Sequence, residues 1–177
     1  MYQPGEIVVY RHHVCQVACV REKYFNEQDY LELHALFENS LKLYVVADDA
    51  RPPLVRPPME PAQASALLES IPEIPAIDEA ELRKKAGTST LLERKMREAY
   101  ETRSKSPRSE DLVAIIKTAR RRTARREKAG RSIATLDRKY HDMAMKFICT
   151  EMCMSLGVER DEMERMVTER MGAPLPS

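Results

Sequence analysis

The sequence predicts an α+β protein in two domains, a small antiparallel β-barrel over residues 1–58 followed by an all-α domain over residues 59–177. Three observations carry this expectation. Residues 1–58 hold five short apolar runs of strand period, none of helix length, separated by Pro, Gly, Asn, Asp and Ser. Beyond them the apolar positions recur every three to four residues, the helical period. The change falls at Pro57-Pro58, and a chain of 177 residues accommodates two small domains.

Glu6 to Tyr10 reads as a first strand after the Pro4-Gly5 turn, and Val14 to Arg21 as a second. The third, Asp29 to Glu38, alternates most clearly. Leu31, Leu33, Ala35 and Phe37 share one face; Tyr30, Glu32, His34 and Leu36 share the other. Asn39-Ser40 turns into Leu41 to Val46, and a short Leu54-Val55 follows the Pro52-Pro53 break. Five such strands suit a small closed barrel of the SH3 or Tudor type, a scaffold that holds partner chains at an exposed edge. His12, His13, Cys15 and Cys19 include metal-ligand types, and His13, Cys15 and Cys19 share strand parity. Their spacing is not that of a zinc knuckle and no second Cys/His pair completes a tetrahedral set, so the cysteines read as small core residues.

Pro61 opens a short helix through Ser70 with Ala62, Ala66 and Leu67 on a stripe, and residues 72–77 form a linker. Asp78 caps a helix ending at Gly87. Thr90 and Glu93 have capping-box spacing ahead of Leu92, Met96, Ala99 and Tyr100. Pro107-Arg108-Ser109 starts a helix carrying Leu112, Ile115, Ile116 and Ala119 on one face. A long helix from Thr135 carries Leu136, Tyr140, Met143, Phe147, Ile148 and Met152 and stops at Gly157; a last one offers Met163, Met166, Val167 and Met171. The late methionines repeat at helical spacing and read as core, as does the Cys149/Cys153 pair.

The overall balance of 29 basic and 28 acidic residues conceals one local excess. Residues 117–139 carry ten Lys/Arg against two acidic groups, and Arg120, Arg121, Arg122, Arg125 and Arg126 fall within seven positions. Runs of charge are often solvated faces, yet arginines this dense also neutralise phosphates and release counterions. Arg94, Lys95 and Arg97 extend the basic surface. No Gly-rich phosphate loop, nucleophile elbow or HExxH motif is present, and the histidines are His12, His13, His34 and His141, so binding is expected and catalysis is not. No cofactor or metal is expected. No apolar segment reaches the roughly 18 residues that span a bilayer, and the N-terminus lacks a signal-peptide core, which predicts a cytoplasmic protein.

Gly5-Glu6-Ile7-Val8-Val9-Tyr10-Arg11-His12-His13, then Asn39 to Val46, then Leu54-Val55-Arg56 resemble the CarD family of bacterial RNA polymerase-binding transcription regulators, whose N-terminal module is shared with the transcription-repair coupling factor. The helical part has about the right length and helix order for that family. The chain departs from the family pattern at Arg11 (Pro in the family), Val14 (Gly), Ser40 (Asp) and Val46 (Pro); Val14 matters most, because losing a glycine removes backbone freedom that a turn can require. The resemblance implies a barrel docked on the polymerase β subunit. Tyr24 and Tyr44 fall where the family presents arginines, and Lys42 joins them as a polymerase-binding residue. It also implies a helical domain on promoter DNA, where the family uses a tryptophan wedge at the edge of the melted bubble. This chain has no Trp, and Leu92 takes the wedge position ahead of Arg94, Lys95 and Arg97, with Arg121, Arg122, Arg125 and Arg126 as backbone contacts. The implied function is a non-enzymatic regulator of open-complex stability. The alternative is a polymerase- or repair-factor-binding adaptor without DNA contact.

Overall fold

The computed structural model describes residues 2–173. It is α+β: five strands, β1 (Ile7–Tyr10), β2 (His13–Phe25), β3 (Gln28–Ala35), β4 (Lys42–Val46) and β5 (Val55–Arg56), precede six α-helices. The strands form one antiparallel sheet in the order β4-β3-β2-β1-β5. A closed barrel was expected, whereas this sheet is open. Only two residues long, β5 pairs with β1 through Val9–Arg56 and Tyr10–Val55, leaving β4 and β5 as edges.

Two hairpin turns place non-glycine residues in the left-handed region, as two-residue loops matching the twist of their strands require. Asn26 and Glu27 (φ 50° and 56°) join β2 to β3; Arg11 and His12 (φ 49° and 66°) join β1 to β2. The φ of Arg11 is one proline cannot adopt, so no proline could stand at this turn. Val14, by contrast, lies within β2 opposite Val9 and is buried, so no glycine freedom is missed there.

The β2 strand runs to Phe25, four residues beyond the expected end, because its distal part is an exposed hairpin arm with no buried face to impose alternation. A bulge also breaks its parity. Val17 pairs with Leu33 and Cys19 with Glu32, so Ala18 is the extra residue. Cys15 therefore points into the sheet core while Cys19 meets Glu32 on the opposite face, and the expected shared parity fails.

Helices α1 (Pro61–Ser70), α2 (Glu79–Ala86), α3 (Ser89–Lys105), α4 (Ser109–Lys128), α5 (Thr135–Leu156) and α6 (Arg160–Met171) follow. The inward stripe of α1 is Ala64, Leu67 and Leu68, shifted from the expected one; Ala62 and Ala66 face solvent. Asp78 Oδ1 accepts from the Glu81 N–H at 2.9 Å, the expected cap of α2. For α3 the cap is Thr88, whose Oγ1 accepts from the Leu91 N–H at 3.3 Å. The chain leaves Gly87 directly into this cap, so α3 begins earlier than the Thr90/Glu93 pattern suggested.

Two separate cores result, one of Val8, Cys15, Val17, Leu31, Leu33, Val45 and Val55 in the sheet and one spanning all six helices. They meet along α5. Glu151 accepts two hydrogen bonds from Arg56 (2.6 and 2.8 Å) and one from the Met59 N–H (2.8 Å), while Ser155 Oγ donates to the Met59 carbonyl at 2.6 Å. Phe147 receives His12 stacked at 5.9 Å and His13 edge-on at 4.8 Å.

Candidate functional site

On the outer face of the sheet the register sets Glu32 opposite Tyr44 and His34 opposite Lys42. Glu32 is only 1% exposed. A carboxylate so covered requires partners, and it accepts from His34 Nε2 (2.7 Å), Arg21 Nε (2.6 Å) and the Cys19 thiol (3.8 Å), with Lys42 Nζ at 3.3 Å. The His34 and Arg21 hydrogen bonds hold its pKa down at about 2. Beside this cluster Tyr24 stacks on Tyr44, centroids 5.1 Å apart and rings 12° from parallel, and Tyr30 meets Tyr24 edge-on at 5.9 Å. Tyr24 is 54% exposed and Phe25 projects at the hairpin tip.

The structure thus brings Tyr24, Tyr44 and Lys42 together, although they come from strands separated by β3. It adds Arg21, Tyr30, Glu32 and His34, which sequence reading did not single out. Their signal was present in the outward parity of Tyr30, Glu32 and His34, but the pairing partner needed to assemble them was not. Strand β4 flanks this face and, among the described residues, bonds only to β3, so its other backbone edge is open there for strand addition.

The histidine and cysteine group disperses. His12 is buried against Phe147, with its Nε2 unpartnered among the described residues. His13 Nδ1 bonds Glu38, and the Cys15 thiol donates to the His13 carbonyl at 3.5 Å. Burial pushes Cys15 up to about 12. Among the described residues no three His, Cys, Asp or Glu side chains gather into a metal-holding set.

In the helical half the basic run divides. Arg122, 6% exposed, lies inside the bundle: its Nε donates to Asp137 (2.9 and 3.1 Å), Nη1 to Glu79 (3.0 Å) and Nη2 to Glu93 (2.5 Å). The Tyr100 hydroxyl donates to the same Asp137 at 2.8 Å. Burial pushes the Asp137 carboxyl upward, and Arg122 and Tyr100 oppose it. Arg125 is tied to Glu79 at 2.5 Å. The buried Arg122 is thereby withdrawn from the phosphate-contacting role the sequence suggested, because a buried guanidinium needs carboxylates close by, and the half-buried Arg125 is already paired with Glu79. Arg121 is exposed without an ion pair among the described residues, and Arg126 gives its Nε to the Ser132 carbonyl at 2.7 Å.

Leu92 is also corrected. It is 6% exposed and belongs to the helical core, whereas Leu91, one position earlier, is 38% exposed. Arg94 and Arg97 are exposed, Arg94 lying 3.6 Å from Glu98, and Lys95 is half-buried. A scan against protein-family models finds no match, and a search of curated proteins finds no significant match.

Proposed function

We propose that the protein is a cytoplasmic, non-enzymatic bacterial transcription regulator that binds the RNA polymerase β subunit through its N-terminal sheet and promoter DNA through its helical half. The five-stranded meander, with a short β5 returning to β1 after a 3-10 turn at Ala47–Asp49, is read as a Tudor-like module. The observation that carries the proposal is the gathering of Tyr24, Tyr44 and Lys42 on one sheet face beside the open β4 edge. Stacked, partly exposed tyrosines are typical interface anchors, and a free strand edge supplies backbone hydrogen bonds to a partner strand. Arg121, Arg97 and Lys95, which have no carboxylate partner among the described residues, are the cations offered to DNA, and Leu91, one turn before Lys95 on α3, replaces Leu92 as the exposed apolar side chain. The mechanism is an equilibrium one: contacts made only in the open complex shift closed toward open by their differential free energy.

The adaptor reading has its own support, since Leu92 is buried and Arg122 and Arg125 are neutralised. The docking half is tested by titrating the protein against the isolated β-subunit lobe. Tyr24→Ala and Tyr44→Ala each weaken binding about tenfold or more if they are anchors; unchanged affinity in both would remove the outer face as the docking site.

A further inference from the structure

The last two turns of α4 and the first two of α5 line an open cleft of about 360 Å³ that neither proposed surface uses. Its lining includes Arg120, Thr123, Ile133, Arg138 and His141. Arg120 is distinctive. Other arginines withdrawn from full exposure have acceptors: Arg56 has Glu151, Arg103 has Asp111, Arg122 and Arg125 share Glu79, Arg126 has the Ser132 carbonyl, and Arg160 has Glu164. Half-buried Arg120 has neither ion pair nor hydrogen bond among the described residues. Burial holds its guanidinium below its ordinary value, the sign of a cation desolvated without compensation.

One turn along the same face, half-buried Thr123 repeats the pattern. Thr118 and Thr150, the other helical threonines out of full solvent, donate to the carbonyl four residues back at 2.7 and 2.6 Å. Thr123 makes no such bond among the described residues. Arg138 likewise has no carboxylate partner there, and His141 uses Nδ1 toward Asp142 at 3.0 Å, leaving Nε2 available. Of the lining carboxylates, Asp137 is committed to Arg122 and Tyr100 and Asp142 to His141; Glu127 stands exposed.

We infer that this cleft is a phosphate seat, in which the Arg120 guanidinium and the Thr123 hydroxyl hold a phosphate oxyanion with Arg138 and His141 at its side. Guanidinium and hydroxyl donors suit phosphate oxygens, and charge-assisted bonds of this kind are the strong ones. The phosphate belongs either to a nucleic-acid strand or to a free nucleotide. In the first case the seat rests on the DNA reading above and adds Arg120 to that surface; in the second it stands alone.

The test uses the full chain, with inorganic phosphate, AMP and a promoter duplex as probes. The His141 imidazole resonances report on the cleft, and duplex affinity is measured in parallel. Saturable His141 shifts with phosphate or AMP, weakened about tenfold or more in Arg120→Met and Thr123→Val, support the seat and identify a free ligand. No small-ligand shift, but about tenfold weaker duplex binding in both variants, supports it and identifies a strand phosphate. No small-ligand shift together with wild-type duplex behaviour in both variants overturns it. Arg121→Ala separates the two proposals: a loss of duplex binding confined to Arg121→Ala, together with no small-ligand shift, keeps the DNA surface and discards the seat. Saturable phosphate binding in a protein that ignores duplex keeps the seat and discards the DNA surface.

Discussion

Arg121 and Arg122 are adjacent and chemically identical, yet the fold gives them opposite roles. Arg122 satisfies three carboxylates inside the bundle, and removing one partner of such a cluster leaves uncompensated charge. Arg122→Met is expected to destabilise the protein by about 3–5 kcal/mol, seen as a lowered urea midpoint. Arg121→Ala should stay within about 0.5 kcal/mol of wild type and weaken DNA binding alone. Glu32 makes a pH prediction. Its folded pKa lies below the ordinary value of 4.5, so its stabilisation is fully present above that value and is lost as pH falls toward about 2. The advantage of wild type over Glu32→Gln should therefore shrink across that acid window in chemical denaturation; an advantage independent of pH would deny the carboxylate this role. Sequence alone separated neither Arg121 from Arg122 nor Leu91 from Leu92. Five arginines in seven positions necessarily face several directions, and which of them turns inward depends on Glu79, Glu93 and Asp137 arriving from three other segments.

At the scale of elements, α5 is the member that both halves share. Its Glu151 is buried beneath Arg56 and the Met59 N–H. Glu151→Gln replaces the charge and leaves Arg56 without its counterion, so it is expected to cost about 3 kcal/mol or more and to speed hydrogen exchange at the Met59 N–H. Unchanged protection there would mean the junction is held elsewhere. The helices were the most legible elements. Asp78, the Pro107-Arg108-Ser109 start and Gly157 mark their ends as expected, and Leu112, Ile115, Ile116 and Ala119 lie inward. Strand β2 was less legible for two physical reasons. Its outer arm is exposed on both faces and carries no alternation, and the Ala18 bulge reverses parity midway without any glycine to announce it. The closed barrel was overread because alternation reports a buried face and says nothing about whether the last strand reaches the fourth. The hairpin turn at Asn26-Glu27 went unmarked, since its second residue is not the glycine that usually signals such a loop.

For the whole molecule, the two cores are fastened to each other while the proposed docking face and the proposed DNA surface remain outside the junction. A partner held on the sheet would therefore present the helical half to nearby DNA in a restricted orientation, raising its effective concentration there. Among the described residues no helix is long and apolar enough to cross a membrane. The most direct measurement is binding of the full chain to a fork-junction promoter fragment, with and without RNA polymerase, at two salt concentrations. The account predicts polymerase-dependent binding that weakens as salt rises, with Arg121→Ala lowering the salt slope by about one and Leu91→Ala reducing affinity more than any wedge-site change at the buried Leu92 that leaves the fold intact. Polymerase binding with no added, salt-sensitive DNA contact would contradict it and leave an adaptor.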